Sequence, residues 1–243
     1  RYLEIGDRLN MTELTQKGVI DSEIFNQVGI IDAKGIYVMA NLPTTGKLDL
    51  SDREHFKVHV AADTGELFVS KPVLGRASGK WSIQLTRRIT RPNGEFAGVV
   101  VVSIDPGYFT RFYNELNLGS EGMAALYGLD GIARARKVGS KEEFGTSAVK
   151  AKMFELIGQG TLSGSYTQIS VVDDVERIYH FRKVPQYQLA VSVGVNMKDL
   201  LANSNWISGI LMALTVLVLT LASGLIGLPL LRYLGIGQTV RDD

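Results

Sequence analysis

The residues best suited to chemistry lie in a basic stretch between positions 71 and 91, which contains "GRASGKWSIQLTRRI". No acidic residue interrupts it, and its six basic residues are Lys71, Arg76, Lys80, Arg87, Arg88 and Arg91. Guanidinium and ammonium groups bind carboxylates and phosphates through charge-assisted hydrogen bonds. Because an uncompensated basic cluster costs stability unless an anion binds, the stretch predicts one wall of an anion-binding pocket.

Residues 81–89 alternate as a β-strand does, so that two faces of different chemistry result. We expect the polar face to line the pocket and to supply Gln84, Thr86 and Arg88 as hydrogen-bond donors, with the double arginine giving one ligand contact and one structural ion pair. The opposite face carries Trp81, Ile83, Leu85 and Ile89, interrupted by Arg87. We expect this face to pack on an N-terminal helix, and Trp81 to close the core or the pocket rim. An ordinary half-exposed strand is the alternative.

Two residues outside this strand are further candidates for the pocket. Arg53 in "SDREHF" could grip a carboxylate with both arms of its guanidinium group, or it could form a surface ion pair with Asp52 or Glu54. Lys71 precedes Pro72, where a strand would enter the pocket; a solvated lysine is the alternative.

His55 and His59 are four positions apart, which is a spacing that metal-binding helices use. No third ligand is evident, so we predict no metal site, and we expect His55 to line the ligand pocket.

Composition excludes several classes of function. Among 243 residues, 26 lysines and arginines face 25 aspartates and glutamates, and the net charge of +1 gives no general attraction to nucleic acid. There is no cysteine, hence no disulfide, no zinc–thiolate site and no cysteine nucleophile. No phosphate loop, nucleophile elbow or catalytic carboxylate pair is present. We therefore predict that this part of the protein is not an enzyme and uses no cofactor.

A long uncharged segment follows residue 199, with its most apolar part between Trp206 and Leu231. As a helix this part would extend about 39 Å, which exceeds the roughly 30 Å hydrocarbon core of a bilayer. A buried core helix would be the alternative, but it would usually be shorter and carry a polar stripe. The sequence predicts a transmembrane helix over 200–232, a cytoplasmic stub over 233–243, and a homodimer in which the helices pair.

The region before this segment contains an internal repeat. Two hairpin patterns, 28–41 and 124–136, place their turn glycines Gly35 and Gly131 96 residues apart. "TRRI" (86–89) and "FRKV" (181–184) keep nearly that spacing, as do "VVSIDPGYF" (101–109) and "SVGVNMKDL" (192–200). The order of the three pairs predicts two tandem α+β units, 20–106 and 107–199, behind an N-terminal helix over 1–19. Asp105 is the predicted N-cap of a helix that starts at Pro106.

This organisation resembles the double Cache sensor domain of bacterial transmembrane receptors, in which two PAS-like antiparallel-sheet units follow a long N-terminal helix. The segments 50–59, 67–89, 94–109 and 128–136 are similar to the version found ahead of cyclic-di-GMP signalling proteins with GGDEF or GGDEF–EAL output domains. The resemblance implies a sensor domain in the periplasm, an inner-membrane receptor, and a ligand pocket in the membrane-distal unit, here 20–106.

The amino-acid-binding members of that family use an Arg-x-Trp-Tyr segment, then Tyr-x-Asp, then a later Asp. The matching positions here read Arg53, His55 and Phe56, then Val73 and Gly75, then Ser103. The arginine that would hold a carboxylate is kept, whereas the acidic groups that would hold an amine are missing. The resemblance therefore implies a carboxylate or another small anion as the ligand, with Ser103 in the pocket.

The predicted function is ligand sensing, with the signal passed through the membrane to an output that makes or degrades cyclic di-GMP. A histidine kinase or chemoreceptor output on the same sensor is one alternative. A membrane-anchored interaction domain without a small ligand is another, and the basic stretch argues against it.

Overall fold

The computed structural model describes residues 11–17, 21, 24–42, 46–113, 116 and 118–199. The predicted transmembrane helix over 200–232, the stub over 233–243 and the first ten residues of the predicted N-terminal helix lie outside these ranges. Within them, no helix combines the length and the apolar character that crossing a membrane requires. Of the N-terminal helix predicted over 1–19, the structure describes one short helix, α1, Met11–Gln16.

The first module is a five-stranded antiparallel sheet with the strand order β2-β1-β5-β4-β3. Helix α2, Glu54–Ala61, lies between β2 and β3 in the chain. The strands are β1 (Phe25–Asp32), β2 (Tyr37–Ala40), β3 (Phe68–Leu74), β4 (Trp81–Thr90) and β5 (Phe96–Ile104).

The second module is a six-stranded antiparallel sheet with the order β8-β7-β6-β11-β10-β9. Helix α3, Pro106–Tyr113, precedes the sheet, and α4, Lys152–Gly158, lies between β8 and β9. The strands are β6 (Met123–Gly128), β7 (Ala133–Val138), β8 (Lys141–Glu143), β9 (Ser163–Ile169), β10 (Glu176–Val184) and β11 (Leu189–Asn196), with a short 3-10 helix at Pro185–Tyr187.

The two sheets follow the same path, which places the repeated sequence segments on equivalent strands. "TRRI" ends β4 and "FRKV" ends β10, while the other pair of segments leads from β5 into α3 and from β11 into a helical turn at 197–199. Strand β8 has no counterpart among the described residues of the first module. An α+β fold of two PAS-like antiparallel sheets is therefore confirmed.

Both hairpin turns have the geometry that their sequences predict. Gly35 and Gly131 have φ angles of +84° and +79°, a region that side chains with a Cβ rarely enter. A Cβ on Gly131 would lie 2.7 Å from the Cα of Val149, and one on Gly35 would lie 2.6 Å from the Cα of Ser51. Each glycine therefore lets its turn press against the segment that leads to the following helix.

Helix α3 begins as predicted. The Asp105 Oδ1 accepts a hydrogen bond of 2.9 Å from the backbone N–H of Gly107, and Pro106 is the first helical residue.

The apolar face of β4 packs against two parts of the structure, whereas packing on the N-terminal helix alone was expected. Ile89 packs with Met11 of α1, which confirms part of the expectation. Ile83 instead joins Val69 of the first module and Leu126 and Leu189 of the second in one buried cluster. Trp81 is 56% exposed, so the prediction that it closes the core is wrong. A side chain at the first position of the strand lies beyond the end of this packed face.

Candidate functional site

The first module contains a pocket between the face of its sheet and the start of α2. It encloses about 380 Å³ of empty space, part of which is open to solvent. Strands β1, β2, β4 and β5 form its floor, and the loop between β3 and β4 forms one side. Its lining residues are Gln27, Tyr37, Leu50, Arg53, His55, Val73, Leu74, Gly75, Arg76, Ala77, Ser78, Gln84, Val101 and Ser103. Four of the predicted site residues are thereby brought together: Arg53, His55, Gln84 and Ser103.

The arginine at the helix start is poorly satisfied by the protein. Arg53 is the N-cap residue of α2, and its Nη2 donates a 3.3 Å hydrogen bond to the Leu74 carbonyl. Its Nε is buried and has no partner in the described part of the chain. The sequence alternative, an ion pair with Asp52 or Glu54, does not form, because Arg76 binds Asp52 with both arms and Glu54 lies 3.9 Å from Lys71. Among the described residues, no carboxylate lies within ion-pair distance of Arg53.

The floor of the pocket supplies uncharged polar groups in fixed positions. The Ser103 hydroxyl donates a 2.6 Å hydrogen bond to the Gln84 Oε1, and the backbone N–H of Gln84 donates to the Ser70 hydroxyl. This arrangement orients the side-chain amide and leaves its NH₂ group without a partner in the described part of the chain. Gln84 is 4% exposed, so the free donor lies in a largely dry environment.

Burial keeps the two ring groups of the pocket uncharged. Burial, together with the positive charge of Arg53, lowers the pKa of His55 to about 4. His55 is therefore a neutral imidazole at neutral pH. Burial also raises the pKa of the Tyr37 phenol, which keeps its hydroxyl protonated and able to donate a hydrogen bond.

The lining carries positive charge and no negative charge. Arg53 and Arg76 are its charged residues, and none of the lining residues is Asp or Glu. The Asp52 carboxylate already neutralises Arg76 at 2.6 Å. The Arg53 guanidinium is therefore the uncompensated charge of this pocket, which suits it to a small anion.

Four predicted site residues lie elsewhere. Lys71 is exposed on β3, 3.9 Å from Glu54 and 4.0 Å from Asp130. Trp81 is exposed and does not line the pocket. The Thr86 hydroxyl pairs with His59 Nε2 at 2.9 Å, and Arg88 donates to the His59 carbonyl and pairs with Asp63 at 3.3 Å.

The basic stretch as a whole is better compensated than its sequence indicates. Arg76, Arg88 and Lys71 find acidic partners on other segments: Asp52, Asp63, Glu54 and Asp130. Arg88 forms a structural ion pair with Asp63, and Arg87 is exposed. Neither member of the double arginine lines the pocket. The expectation of an uncompensated basic wall was wrong, because the partners are distant in sequence and close in the fold.

Several pocket residues were not predicted from the sequence. Gln27 and Tyr37 come from the first hairpin, and Ala77 and Ser78 come from the Gly/Ser-rich loop before β4. Gln27 is only 4% exposed, and it directly precedes the apolar run 28–31 of β1. A buried amide in such a place generally has a polar partner or a ligand.

The second module has a corresponding pocket with different chemistry. Ala151 is the N-cap residue of α4, as Arg53 is of α2, and Met153 follows where His55 stands in the first module. The arginine of this pocket, Arg136, is already bound by Glu143 and Asp173. Of the two pockets, only that of the first module contains an arginine that has no carboxylate partner among the described residues.

No group of three metal-binding side chains occurs among the residues that the structure describes. His55 and His59 face different surroundings, since His55 lines the pocket and His59 bonds to Thr86.

Comparisons with known proteins agree with this architecture. Residues 106–194 match the model of the dCache_1-like family, described as a histidine kinase sensor domain. The extracellular domain of the proposed histidine kinase rpHK1S-Z16 is 28% identical, with a TM-score of 0.69 over 78% of this chain and 79% of that one. A search of the curated proteins found no match.

Two further solved structures are similar in fold alone. The ligand-binding domain of the Pseudomonas aeruginosa PAO1 amino acid chemoreceptor PctB, in complex with L-Arg, is 17% identical, with a TM-score of 0.54 over 77% of this chain and 79% of that one. The extracellular domain of the proposed histidine kinase mmHK1S-Z2 is 16% identical, with a TM-score of 0.54 over 82% of this chain and 86% of that one.

Proposed function

We propose that this chain is a double Cache sensor domain that senses a small carboxylate, which binds in the pocket of the first module; the match of residues 106–194 to the family model and the similarity to the rpHK1S-Z16 domain support this. The observation that carries this proposal is the Arg53 guanidinium. It faces a pocket whose lining contains no acidic residue, and no described residue partners its buried Nε. A bound carboxylate would supply the missing hydrogen-bond acceptor and the missing counter-charge.

The surrounding groups suit a carboxylate in different ways. The free NH₂ of Gln84 and the Tyr37 hydroxyl can donate hydrogen bonds, and neutral His55 adds no charge that would have to be balanced. Leu50, Val73 and Val101 provide apolar contacts for a short carbon chain. The pocket therefore favours a ligand with one anionic end and a small apolar body.

Amino acids are the principal rival ligands. PctB has been crystallised with L-Arg and with L-Gln, and Mlp24 with asparagine. An α-amino acid brings an ammonium group that needs an acceptor or an opposite charge, and burying it without one is costly. The lining positions Val73, Gly75 and Ser103 offer no carboxylate here. We therefore favour a carboxylate that lacks an α-amino group.

Signalling would follow the receptor organisation that the sequence predicts. The first module (within 20–106) would be membrane-distal and the second (within 107–199) membrane-proximal, in the periplasm, with the helix over 200–232 crossing the inner membrane in a homodimer. A ligand shifts such a receptor only as far as it binds its two states with different affinity. The similarity to sensor domains of histidine kinases and chemoreceptors favours those outputs over the cyclic-di-GMP enzyme.

The proposal is tested by titrating the full chain with acetate, propanoate, lactate and succinate, and with alanine and glycine, by isothermal calorimetry. We expect binding of at least one carboxylate without an amino group. Arg53→Ala should weaken it by about 10- to 100-fold, because a charge-assisted bond is lost. Arg53→Lys should retain part of the affinity, since it keeps the charge but loses the planar fork.

Arg91→Ala is the matched control, because Arg91 is exposed and does not line the pocket. It removes the same charge and should bind as the unaltered chain does. Equal losses in Arg53→Ala and Arg91→Ala, or binding of amino acids alone, would refute the proposal.

A further inference from the structure

A second and larger cavity lies where the two modules meet. It encloses about 810 Å³ of empty space, part of it open to solvent, against about 380 Å³ for the pocket of the first module. Helix α2, the loop after it and the start of β3 form one side. The β6–β7 turn and the segment after the 3-10 helix form the other. The two cavities share no lining residue, so this inter-module cavity is a separate place for a ligand.

The walls of the inter-module cavity are largely apolar. Val58, Leu67, Phe68 and Val69 contribute from the first module, and Leu129 contributes from the second. The Phe68 ring packs edge-on against the His59 ring at a centroid distance of 6.3 Å, which gives a rigid aromatic wall. Burying an aliphatic or aromatic group of a ligand against such walls favours binding, because it removes apolar surface from water.

The uncompensated charge at this cavity is negative, opposite to that of the first pocket. Arg134 binds Asp130 at 2.8 Å, which balances its charge, while its buried Nε has no hydrogen-bond partner among the described residues. The Glu66 side chain is exposed at the rim, and its carboxylate has no cation within ion-pair distance among the described residues. A cationic ligand would give this carboxylate a partner.

A buried histidine offers a second anchoring point. His59 is 4% exposed, and its Nε2 pairs with the Thr86 hydroxyl at 2.9 Å, whereas its Nδ1 has no partner in the described part of the chain. Burial lowers the pKa of His59, so its ring is neutral at neutral pH. When the ring proton is on Nε2 and donated to Thr86, Nδ1 is a free acceptor beside the cavity.

We propose that the inter-module cavity binds a small primary amine with an apolar body. The ammonium group pairs with Glu66 and donates a hydrogen bond to His59, while the body packs against Phe68 and Leu129. Because residues of both modules line the cavity, an amine in it contacts both modules at once. The chain thus holds two ligand sites of opposite charge preference. This second site does not depend on the carboxylate proposed for the first.

The test uses three probes that share one phenyl body and differ in charge: 2-phenylethylamine, 2-phenylethanol and 3-phenylpropanoate. Each is titrated by isothermal calorimetry into the full chain carrying Arg53→Ala, because the first pocket of the unaltered chain would itself bind 3-phenylpropanoate. We expect the amine to bind and the other two to bind at least about tenfold more weakly. Glu66→Gln should weaken amine binding about three- to fivefold, because a partly exposed ion pair contributes that much to affinity. Leu129→Trp should abolish it by filling the cavity.

Glu95→Gln is the control for charge, because Glu95 is exposed in the β4–β5 turn and does not line this cavity. It should leave amine binding within about twofold of that of the Arg53→Ala chain. Failure of the amine to bind, equal binding of the alcohol or the carboxylate, or equal effects of Glu66→Gln and Glu95→Gln would overturn the proposal. The small carboxylates acetate, propanoate, lactate and succinate test the first pocket, so the proposal for either site can be refuted without the other.

Discussion

At the scale of residues, a side chain's role here depends on which partners the fold brings to it. Arg53, Arg76 and Arg88 are the same residue type, yet Arg76 and Arg88 are held by Asp52 and Asp63, while no carboxylate of the described residues pairs with Arg53. The free arginine was among the sequence candidates because of its resemblance to a family motif. Its freedom became evident only when the carboxylates beside it in sequence proved to be engaged by other residues.

His55 gives a residue-scale prediction about pH. Its pKa is about 4 in the folded chain and near the ordinary 6.5 when unfolded, so the unfolded state binds more protons between these values. The ligand-free chain should lose up to about 3 kcal/mol of stability from this group as the pH falls from 6.5 to 4. His55→Gln should therefore show a shallower decline in urea-unfolding free energy over that range.

His180→Gln serves as the comparison, because His180 is exposed on β10. It should keep the steep decline of the unaltered chain. A His55→Gln variant with the same pH dependence as the unaltered chain would contradict the assigned neutral state.

At the scale of elements, the paired hairpins show why the repeat could be found from sequence. Each module builds its first hairpin around a glycine with positive φ, and the following segment packs directly against that glycine. The turn therefore does more than reverse the chain, since it also positions the start of the following helix. In the first module this start carries Arg53 and His55.

The prediction at this scale compares two glycines of the second module. Gly131 and Gly145 have nearly equal φ angles, +79° and +78°, but a Cβ at Gly131 would meet Val149, whereas Gly145 has nothing within 4 Å. Gly145→Ala should cost about 1 kcal/mol of unfolding free energy from backbone strain alone. Gly131→Ala should cost about 1–3 kcal/mol more, because the methyl group also clashes with Val149. Urea unfolding of both variants measures the difference, and equal costs would show that the turn does not press on that segment.

At the scale of the whole molecule, the two modules share a buried cluster as well as a cavity. Val69 and Ile83 of the first module pack with Leu126 and Leu189 of the second. Burying these side chains makes the stability of each module depend on the other. Such a contact can carry a rearrangement from a ligand site in one module to the next.

Leu126→Ala tests this dependence. It should cost about 2–5 kcal/mol and, in native-state hydrogen exchange, speed the exchange of protected amides in β4 of the first module as well as in β10 of the second. Met153→Ala is the control, because Met153 lies in the core of the second module alone and should affect β10 more than β4. Faster exchange confined to the second module in both variants would mean that the modules are energetically independent.

The sequence by itself determined the elements and their repetition. Period-two alternation, the Asp-Ala-Lys-Gly and Asp-Gly turns and the Asp105-Pro106 helix start are local signals, because they follow from backbone geometry within a few residues. They were sufficient to predict two antiparallel sheets, and the family resemblance named Arg53, His55 and Ser103. Gln84 followed from its place on the polar face of β4.

The tertiary structure decided which charges remain free and where cavities form. Lys71, Trp81, Thr86 and Arg88 looked like pocket residues, because the sequence shows a charge but not the acid that will approach it from a distant segment. The inter-module cavity left no pattern in the sequence, since its walls come from segments about 60 residues apart that meet only when the modules pack. Electrostatic pairing and packing join residues that are distant in sequence. The tertiary structure is therefore needed to determine which residues form each site.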